Sequence, residues 1–429
     1  MASALPTLPP STVNAAYAAA QKRYAALGVD VEAALAALDT VPVSLHCWQG
    51  DDVRGFEKAA DLSGSGLAAT GNYPGAARTG DELRADAATA FSMIPGPVRF
   101  NLHAIYAETD GERVGRDQLE PRHFKRWMEW AKKLGVRLDF NTSFFAHPMA
   151  ASGFTLSHED PKIAGFWLRH GLACRKIAEA MGRAQKAPCV INHWLPDGAK
   201  DSPADRWAPR RRLAAQLDKL FALKLDKRFC LDAVEGKLFG IGSEDFVVGS
   251  HEFYLSYTAS RQNALLCLDM GHFHPTETIH DKISAILTFQ KQLLLHVSRG
   301  IRWDSDHVVL FNDDTRAVFQ ELARGNALGR ACIALDYFDA SLNRVGAWVI
   351  GARATRKALL AALLEPAALI RSAAARGDQA SKLALLEEAK TLPFGAVWDA
   401  YCQRHGIAAG SAWLNTLAAY EKKVQSKRA

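Results

Sequence analysis

The sequence predicts an α/β protein whose centre is a closed (β/α)8 TIM barrel, preceded by an N-terminal helix and followed by a C-terminal α-helical extension. Two observations indicate this class. Between residues 42 and 339, eight short apolar or β-branched runs alternate with longer helical stretches, which is typical of parallel βαβ units and, at this number, of a barrel. The loop after the first run begins Gln49-Gly50-Asp51-Asp52 and lacks the glycine-rich phosphate loop of an open doubly wound sheet.

Each of the eight predicted strands is a short apolar run that ends in polar residues able to take part in chemistry. The strands are predicted at residues 42–47, 97–105, 136–145, 188–194, 229–237, 264–273, 293–297 and 331–339. Apolar residues at helical spacing predict helices between them, at residues 121–133, 160–181, 208–225 and 280–290. This order of elements is the one that a barrel of parallel strands requires.

Helices are also expected on both sides of the barrel. The alanine-rich stretch at residues 13–38 predicts a helix or two before the first strand. After Asp339 the alternation stops, and helices are predicted at residues 345–364, 367–375, 380–390, 394–405 and 412–423. We therefore expect the barrel and its helical lead-in in residues 1–345 and a C-terminal helical extension in residues 346–429.

Composition and charge argue against two classes of partner. The 429 residues are 48% hydrophobic and 23% charged, which is typical of a globular chain. The 52 basic and 46 acidic residues are spread along the chain, and the densest basic spots, residues 210–212 and 422–428, have no interleaved aromatic residues. That pattern indicates solvated surface rather than a nucleic-acid groove. Because no signal peptide and no apolar span of membrane length is recognisable, we expect no membrane partner either.

The cysteines indicate a reducing compartment. Seven are present, and no two of them form a C-x-x-C pair. Cys189, Cys230, Cys267 and Cys332 lie within apolar runs, where a thiol behaves as a small apolar group. This pattern is typical of a reduced cytosolic protein rather than of a disulfide framework, so we expect a cytoplasmic location.

The loop after the first predicted strand is unusually long. Residues 50–82 contain seven glycines, and a loop of this length inside a compact domain is usually functional or disordered. Our hypothesis is a lid or a loop that bridges subunits, and the alternative is a floppy insertion. The sequence leaves open whether the loop covers its own site or a neighbouring one.

Acidic, basic and imidazole side chains collect at the ends of consecutive predicted strands. In a barrel of this class the C-terminal strand ends form one mouth, where the chemistry takes place. The candidates at the mouth are Glu235, Lys237, Asp269, His272, His296, Asp304, Asp306 and Asp339. Asp304 and Asp306 are two residues apart, so both point the same way in an extended chain. Carboxylate and imidazole ligands suit a divalent cation such as Mn²⁺, Mg²⁺, Co²⁺ or Zn²⁺.

Charge counting favours two cations at this mouth. The converging carboxylates are those of Glu235, Asp269, Asp304, Asp306 and Asp339. Without cations they would repel one another and be costly to bury. Two divalent cations and the ammonium of Lys237 would supply five positive charges against these five negative ones.

Each candidate also has a purely structural interpretation. A histidine at a strand end could be a core residue with satisfied hydrogen bonds. Glu235 could be only the ion-pair partner of Lys237 or Arg261. Asp336 and Asp339 could cap a helix.

Long strings of residues around these positions resemble the L-rhamnose isomerases of the enterobacterial type. The strings are PVSLHCWQGDD at residues 42–52, ATGNYPG at 69–75, NLHAIY at 101–106, KLFGIG at 237–242, GHFHPTE at 271–277, WDSDH at 303–307 and DASLNR at 339–344. They are specific to that enzyme, and the resemblance covers nearly the whole chain. It implies a (β/α)8 barrel with a C-terminal helical part, a homotetramer, Mn²⁺ as the usual metal, and reversible conversion of L-rhamnose to L-rhamnulose in rhamnose catabolism.

Carried over residue by residue, the resemblance assigns roles to the metal ligands. It implies that a structural metal is held by Glu235, Asp269, His296 and Asp339. It implies that a catalytic metal is held by His272, Asp304 and Asp306. Asp336 lies three residues before Asp339 and stays an alternative to it.

The resemblance also assigns the substrate contacts. Lys237 would contact the end of the sugar that changes oxidation level, and His103 would lie near the ring oxygen and help to open the ring. Phe145 and Trp194 would form apolar walls, and Trp48 would also contact the substrate. The candidate catalytic residues are then Lys237, His103, Asp304 and Asp339.

Two routes could move hydrogen between C1 and C2 of the sugar. One is a hydride shift between carbons whose oxygens are bound to the metals; the other is an enediol route with a carboxylate or a metal-bound hydroxide as base. A crowded site without a dedicated glutamate favours the hydride shift. Two other classes stay open: a metal-dependent nuclease on a similar barrel, supported only by the basic pI of about 8.9, and a non-catalytic sugar- or metal-binding protein.

Overall fold

Eight parallel strands close into a barrel in the computed structural model of the protein. The structure describes residues 5–57, 69–237, 245–274, 276–301 and 303–428, with only the backbone described at residues 303–305. The barrel strands are β1 (Val43–His46), β2 (Val98–His103), β3 (Arg137–Asn141), β4 (Cys189–Trp194), β6 (Cys230–Glu235), β8 (Leu265–Asp269), β9 (Leu293–Val297) and β12 (Ala331–Leu335). They follow one another around the barrel in the order β1-β12-β9-β8-β6-β4-β3-β2. The predicted fold class and all eight predicted strands are confirmed.

Two short antiparallel strand pairs lie outside the barrel. One joins β5 (Gly198–Ala199) to β7 (Phe246–Val247), and the other joins β10 (Arg299–Ile301) to β11 (Trp303–His307). The second pair follows β9 directly and contains the two aspartates that the sequence predicted in extended chain. Both aspartates therefore lie on a strand, but the backbone is not extended at Asp306, where φ is 32°.

The helices surround the barrel and continue beyond it. Those of the barrel region are α1 (Pro10–Ala26), α2 (Val31–Leu38), α3 (Gly80–Phe91), α4 (Lys125–Leu134), α5 (Pro161–Gln185), α6 (Trp207–Ala222), α7 (His251–Arg261), α8 (Ile279–Phe289), α9 (Asp313–Arg324) and α10 (Arg344–Leu363). The extension contains α11 (Ala367–Ala375), α12 (Gln379–Thr391), α13 (Phe394–Arg404) and α14 (Trp413–Lys423). Among the described residues no single helix has the length and apolarity of a membrane span, although α10 and α11, bent by 52°, meet the criteria together.

Several helices begin at side chains that satisfy free backbone N–H groups. Asp160 accepts a hydrogen bond from the N–H of the second residue of α5, and Pro161 occupies the first position, where a missing N–H costs nothing. Ser250 and Asn312 cap α7 and α9 in the same way. The helix starts therefore follow from local sequence.

Side chains alternate between the barrel interior and the helix layer along each strand. At the N-terminal end of the interior, the Asp139 carboxylate accepts hydrogen bonds from the Arg99 guanidinium, the Ser44 hydroxyl and the backbone N–H of Val190. These four residues belong to β3, β2, β1 and β4. A polar cluster therefore joins neighbouring strands at the end of the barrel opposite the mouth.

The interior is apolar in the middle of the barrel and polar again towards the mouth. The middle layer is a buried cluster of Val190, Ala233, Cys267, Leu294 and Ala334. Two residues further along the same five strand segments stand Asn192, Glu235, Asp269, His296 and Asp336. The strand alternation therefore brings one amide, three carboxylates and one imidazole into a single layer at the mouth.

Helix α10 connects the mouth of the barrel to the C-terminal extension. Trp348 donates a hydrogen bond of 2.8 Å from its indole nitrogen to the backbone carbonyl of His46. Arg344, at the start of the helix, makes two hydrogen bonds of 2.6 and 2.8 Å to the carboxylate of Asp52. The hydrophobic core continues through this helix. The predicted boundary after residue 345 falls inside α10 and stays a prediction.

Candidate metal centre

Four side chains from four barrel segments converge at the mouth and form what we call the inner donor group. Its members are Glu235, Asp269, His296 and Asp336, which offer ligand atoms within 4.8 Å of one another. His296 is central, because its Nδ1 lies 3.0 Å from Asp336 Oδ2 and 3.5 Å from both Glu235 Oε1 and Asp269 Oδ2. The barrel strands therefore hold an imidazole against three carboxylates.

The donor set and its spacing fit a divalent cation. A cation bound at about 2.1 Å in octahedral geometry places neighbouring ligand atoms about 3 Å apart and opposite ones about 4.2 Å apart, which matches this cluster. Within the described part of the chain, Glu235 Oε1, Asp269 Oδ2 and both ring nitrogens of His296 are buried and make no hydrogen bond of acceptable geometry, although His296 Nδ1 lies within ion-pair distance of the carboxylates. Buried polar atoms normally have partners, so these atoms are suited to bind an ion.

The pKa shifts within the inner donor group also indicate a site that suits a divalent cation. Burial acts to raise the pKa of Glu235, but His296 and His272 together lower it well below its ordinary value. Burial acts to lower the pKa of His296, but Cys267, then Glu235 and the carboxylates of Asp269 and Asp336, raise it well above 6.5. These acidic groups thus favour a positive charge on the imidazole, and a divalent cation competes with the proton for the same nitrogen.

A second cluster, which we call the outer donor group, lies beside the first. Asp269, His272 and Asp306 offer ligand atoms within 4.8 Å of one another, and His272 Nδ1 lies 3.0 Å from Glu235 Oε1. Asp269 belongs to both groups, a sharing that the sequence did not predict. The predicted grouping of His272 with Asp306 is found here, whereas the side chain of Asp304 lies outside the described residues and its role stays a prediction.

Asp339 does not belong to either donor group, and Asp336 stands in its place. Asp339 Oδ1 accepts hydrogen bonds from the backbone N–H of Ser341 at 2.8 Å and from its hydroxyl at 2.6 Å. Asp339 therefore stabilises the turn before α10, whereas the N-cap of that helix is Asn343. The physical reason is strand alternation: Asp336 continues the inward-facing series of Cys332 and Ala334, and Asp339 is out of phase with it. Of the two aspartates that the sequence left open, the structure therefore brings Asp336 to the inner donor group, and which of them binds a cation stays a prediction.

The predicted substrate contacts form a continuous wall beside the donor groups. Ring centres lie 4.8 Å apart between Trp48 and His103, 5.4 Å between His103 and Phe145, and 5.6 Å between Phe145 and Trp194. The wall ends at Lys237, whose ammonium lies 4.9 Å from the centre of the Trp194 ring and 3.4 Å from His272 Nε2. An apolar surface with one cation at its metal-facing end suits a small polyhydroxylated ligand.

His103 occupies the middle of this wall as a neutral imidazole. Burial, followed by the charge of Arg116, lowers the pKa of His103 to about 3. Its Nδ1 lies 3.1 Å from the hydroxyl of Ser143, which fixes the orientation of the ring. The side chain therefore offers hydrogen bonds rather than charge to a ligand.

The supporting residues of the donor groups were not predicted from the sequence. Asn192 donates a hydrogen bond to Glu235, and Ser298 donates one of 2.9 Å to Asp269 Oδ1. Trp48 donates a hydrogen bond of 3.1 Å from Nε1 to Asp336 Oδ1, so it serves both the wall and the inner donor group. Their common signal in the sequence is position, because each lies in the inward-facing phase of its strand or of that strand's continuation.

Comparison with known proteins identifies relatives over nearly the full length. A family model described as L-rhamnose isomerase (RhaA) matches residues 11–428. An L-rhamnose isomerase of Rhodopirellula baltica is 58% identical over 416 residues, 97% of this chain and 97% of that protein. Relatives of the same name from Escherichia coli and Yersinia pseudotuberculosis are 57% and 54% identical, over 96% and 97% of this chain and 98% and 100% of theirs. A solved D-allulose 3-epimerase from Methylomonas sp. aligns with a TM-score of 0.48 at 11% identity, covering 74% of this chain and 98% of that one.

Proposed function

The chain belongs to the L-rhamnose isomerase family and is an isomerase, and we propose that it interconverts L-rhamnose and L-rhamnulose with two bound divalent cations. One observation carries the metal-dependent part of the proposal: two donor groups that share Asp269 meet at the mouth of the barrel, beside a wall that ends in Lys237. A nuclease would need a basic groove for a long polyanion, whereas this wall is aromatic and fits a single sugar.

In this proposal each of the two donor groups at the mouth binds one cation. The inner cation would be held by Glu235, Asp269, His296 and Asp336. The outer cation would be held by His272, Asp306, Asp269 and the predicted ligand Asp304. Cations held there would supply Lewis-acid polarisation of the substrate oxygens and stabilise developing negative charge.

Lys237 and His103 orient the sugar in this proposal. The ammonium of Lys237 has three donors and no acceptor, and its position beside His272 lets it donate to the oxygen at the carbonyl end of the substrate. His103 uses Nδ1 at Ser143, which leaves Nε2 to exchange a hydrogen bond with the ring oxygen during ring opening. Phe145 and Trp194 then exclude water from the reacting carbons.

The hydride shift is the favoured route. An enediol route needs a base for the C2 proton, either a free carboxylate or a metal-bound hydroxide, and the structure bears on the first of these. Among the described residues at the mouth, the carboxylates of Glu235, Asp269, Asp306 and Asp336 belong to the donor groups, and that of Asp339 is bonded to Ser341. No dedicated base remains among them, so transfer of hydrogen between the two carbons with its electron pair fits this site better.

Mn²⁺ is the ion that the proposal assigns to the enzyme, with Co²⁺, Zn²⁺ and Mg²⁺ able to substitute at an oxygen- and nitrogen-rich site. The resemblance to the enterobacterial enzymes supports a homotetramer. All seven cysteines are free thiols, which supports a cytoplasmic location.

A ketose assay on chelated and remetallated protein tests the proposed function. Protein stripped of metal should be inactive, and Mn²⁺ should restore conversion of L-rhamnose more efficiently than that of L-mannose or D-xylose. A single methyl contact discriminates between sugars by only about 1–3 kcal/mol, so L-mannose should also react slowly. Ketose formation at an undiminished rate after complete metal removal would contradict the proposal.

Solvent isotope incorporation separates the two routes. A hydride shift in D₂O should give L-rhamnulose without deuterium on C1, because the migrating hydrogen never reaches a base. An enediol route should place deuterium there. Substantial incorporation in the first turnovers would overturn the hydride assignment and leave the isomerase assignment intact.

A further inference from the structure

A cysteine lies directly beneath the inner donor group, within ligand distance of two of its members. Cys267 precedes Asp269 by two residues on β8, and the strand register pairs Cys267 with Glu235 on β6 and with Leu294 on β9. The ligand atoms of Glu235, Cys267 and His296 lie within 4.8 Å of one another. The exposed fractions of these three residues are 2%, 2% and 1%.

We propose that Glu235, Cys267 and His296 form a binding site for a thiophilic divalent cation such as Cd²⁺, one layer deeper in the barrel than the inner cation. The site overlaps with the inner donor group, because both use Glu235 and His296. It is independent of the reaction proposed above, since it predicts only which ion binds and through which atoms.

Two features besides the thiol point to a ligand at this position. His296 Nε2 is buried without a hydrogen-bond partner among the described residues. His296 Nδ1 and Glu235 Oε1 make no hydrogen bond of acceptable geometry either, although they lie 3.0 Å from Asp336 Oδ2 and from His272 Nδ1, respectively. The imidazole can therefore serve the carboxylates of the inner donor group or the deeper cluster. The neighbours of the thiol within its layer, Val190, Ala233 and Leu294, are apolar, so they offer a cation no competing ligand.

The ligand atoms determine which cations each site prefers, the inner donor group or the deeper site that contains Cys267. Thiolate is a soft ligand that favours Zn²⁺ and Cd²⁺, whereas carboxylate-rich groups suit Mn²⁺ and Mg²⁺. On binding, the thiol gives its proton to solvent and the sulfur bonds to the cation, without any change of oxidation state. A cation held this way occupies Glu235 and His296, so Mn²⁺ loses two of its four inner ligands. The site therefore makes the protein sensitive to thiophilic ions.

Cadmium binding to the full-length, chelator-treated protein tests the proposal directly. Titration with Cd²⁺ should produce ultraviolet thiolate-to-cadmium charge-transfer absorption that saturates at one thiolate per chain. The variant Cys267→Ser should lose that band and bind Cd²⁺ at least about tenfold more weakly. The matched control is Cys332→Ser, because Cys332 packs against the same interior cluster and belongs to no donor group among the described residues; it should behave as the wild type. An undiminished band in Cys267→Ser would overturn the proposal.

Two further measurements keep the result interpretable. Mn²⁺ affinity, followed by the electron paramagnetic resonance of the free ion, should be unchanged in Cys267→Ser, and the variant Cys267→Ala should repeat the cadmium result if serine disturbs the apolar layer. Inhibition of ketose formation by Cd²⁺ should need at least about tenfold more ion in Cys267→Ser than in the wild type. Equal inhibition in both would contradict the overlap of the two sites. If Mn²⁺ supported no isomerisation at all, the proposed function would fail while the cadmium titration would still decide this inference.

Discussion

Replacing Asp336 by alanine should remove the inner cation, whereas replacing Asp339 by alanine should leave it in place. The two aspartates are three residues apart and differ in what they touch. Asp336 Oδ2 lies 3.0 Å from His296 Nδ1 within the inner donor group. Asp339 instead accepts two hydrogen bonds from Ser341 in the turn before α10. The pair therefore separates a ligand from a structural residue of the same charge.

The expected magnitudes follow from these contacts. Loss of a residue that merely supports a metal ligand lowers metal affinity by about 10–100-fold, so loss of the ligand Asp336 should lower Mn²⁺ affinity by about 100-fold or more. Asp339→Ala removes two hydrogen bonds at an exposed turn, which together stabilise the fold by about 1–2 kcal/mol. Its free energy of unfolding should fall by that amount, and its affinity for Mn²⁺ should stay within about twofold of the wild type.

The assays are a Mn²⁺ titration followed by electron paramagnetic resonance, urea unfolding of the metal-free proteins, and ketose formation at saturating Mn²⁺. Asp336→Asn serves as a second variant, because the amide oxygen can still accept the hydrogen bond of Trp48 while the charge is lost. Tight Mn²⁺ binding by both Asp336 variants, together with its loss in Asp339→Ala, would refute the strand-alternation reasoning and restore the ligand set that the family resemblance implied.

Three other perturbations test neighbouring parts of the structure. Trp48→Phe keeps an aromatic ring but loses the hydrogen bond to the inner donor group, so Mn²⁺ affinity should fall about 10–100-fold with little change in KM. Phe145→Leu should instead raise KM and leave Mn²⁺ affinity unchanged. The reverse pattern would contradict the assignment of Trp48 to the inner donor group and of Phe145 to the substrate wall. A Cβ on Gly271 would lie 2.9 Å from Ser298 Oγ and 3.0 Å from Asp306 Oδ1 of the outer donor group. Gly271→Ala should therefore reduce kcat by about 100-fold. Gly329 has open space around it, so Gly329→Ala should match the wild type. Burial lowers the pKa of His170 to about 3, below its unfolded value of 6.5, so its contribution to stability is present above pH 6.5 and is lost towards pH 3. In His170→Gln, the free energy of unfolding in urea should therefore depend less on acid pH, by about 1.4 kcal/mol per pH unit. An unchanged dependence of that free energy on pH would contradict a neutral buried ring.

The barrel was predictable because its strands carry a strong local signal. Parallel strands are buried on both faces, so they read as continuous apolar runs such as residues 293–297, and the helices between them have a different apolar period. Helices α3, α7 and α9 were not among the predicted ones. In α3 the apolar residues are mostly alanines. Their small side chains give the helix only a weak amphipathic pattern, so the sequence did not predict it.

At the end of β12 the family resemblance and the strand alternation favour different aspartates, Asp339 and Asp336, and the structure brings Asp336 to the inner donor group. Cys332 and Ala334 face the barrel interior, and the period of two continues to Asp336. Asp339 belongs to one of the strings that carry the family resemblance, and its hydrogen bonds to Ser341 give it a place in a turn. Positional phase was therefore the more informative signal at this strand end.

The outer donor group could be predicted only in part, because its geometry depends on tertiary folding. His272 and Asp306 come from different loops, and they meet because the β10–β11 pair folds back after β9. At Asp306 the backbone has φ of 32°, a conformation that carboxylate residues adopt more readily than most. No local pattern reports such a conformation or the sharing of Asp269 between two groups.

The inner donor group can be understood as one layer of the barrel interior, whereas His272 and Asp306 of the outer donor group lie beyond the barrel strands. Each inner ligand stands two residues beyond a member of the apolar layer: Glu235 follows Ala233, Asp269 follows Cys267, His296 follows Leu294 and Asp336 follows Ala334. Because the side-chain period of a strand is two, a shift of one residue in any of these segments would turn its ligand into the helix layer. The apolar layer therefore fixes the register that presents the ligands, so small-to-large substitutions such as Ala233→Leu should weaken Mn²⁺ binding without touching a ligand.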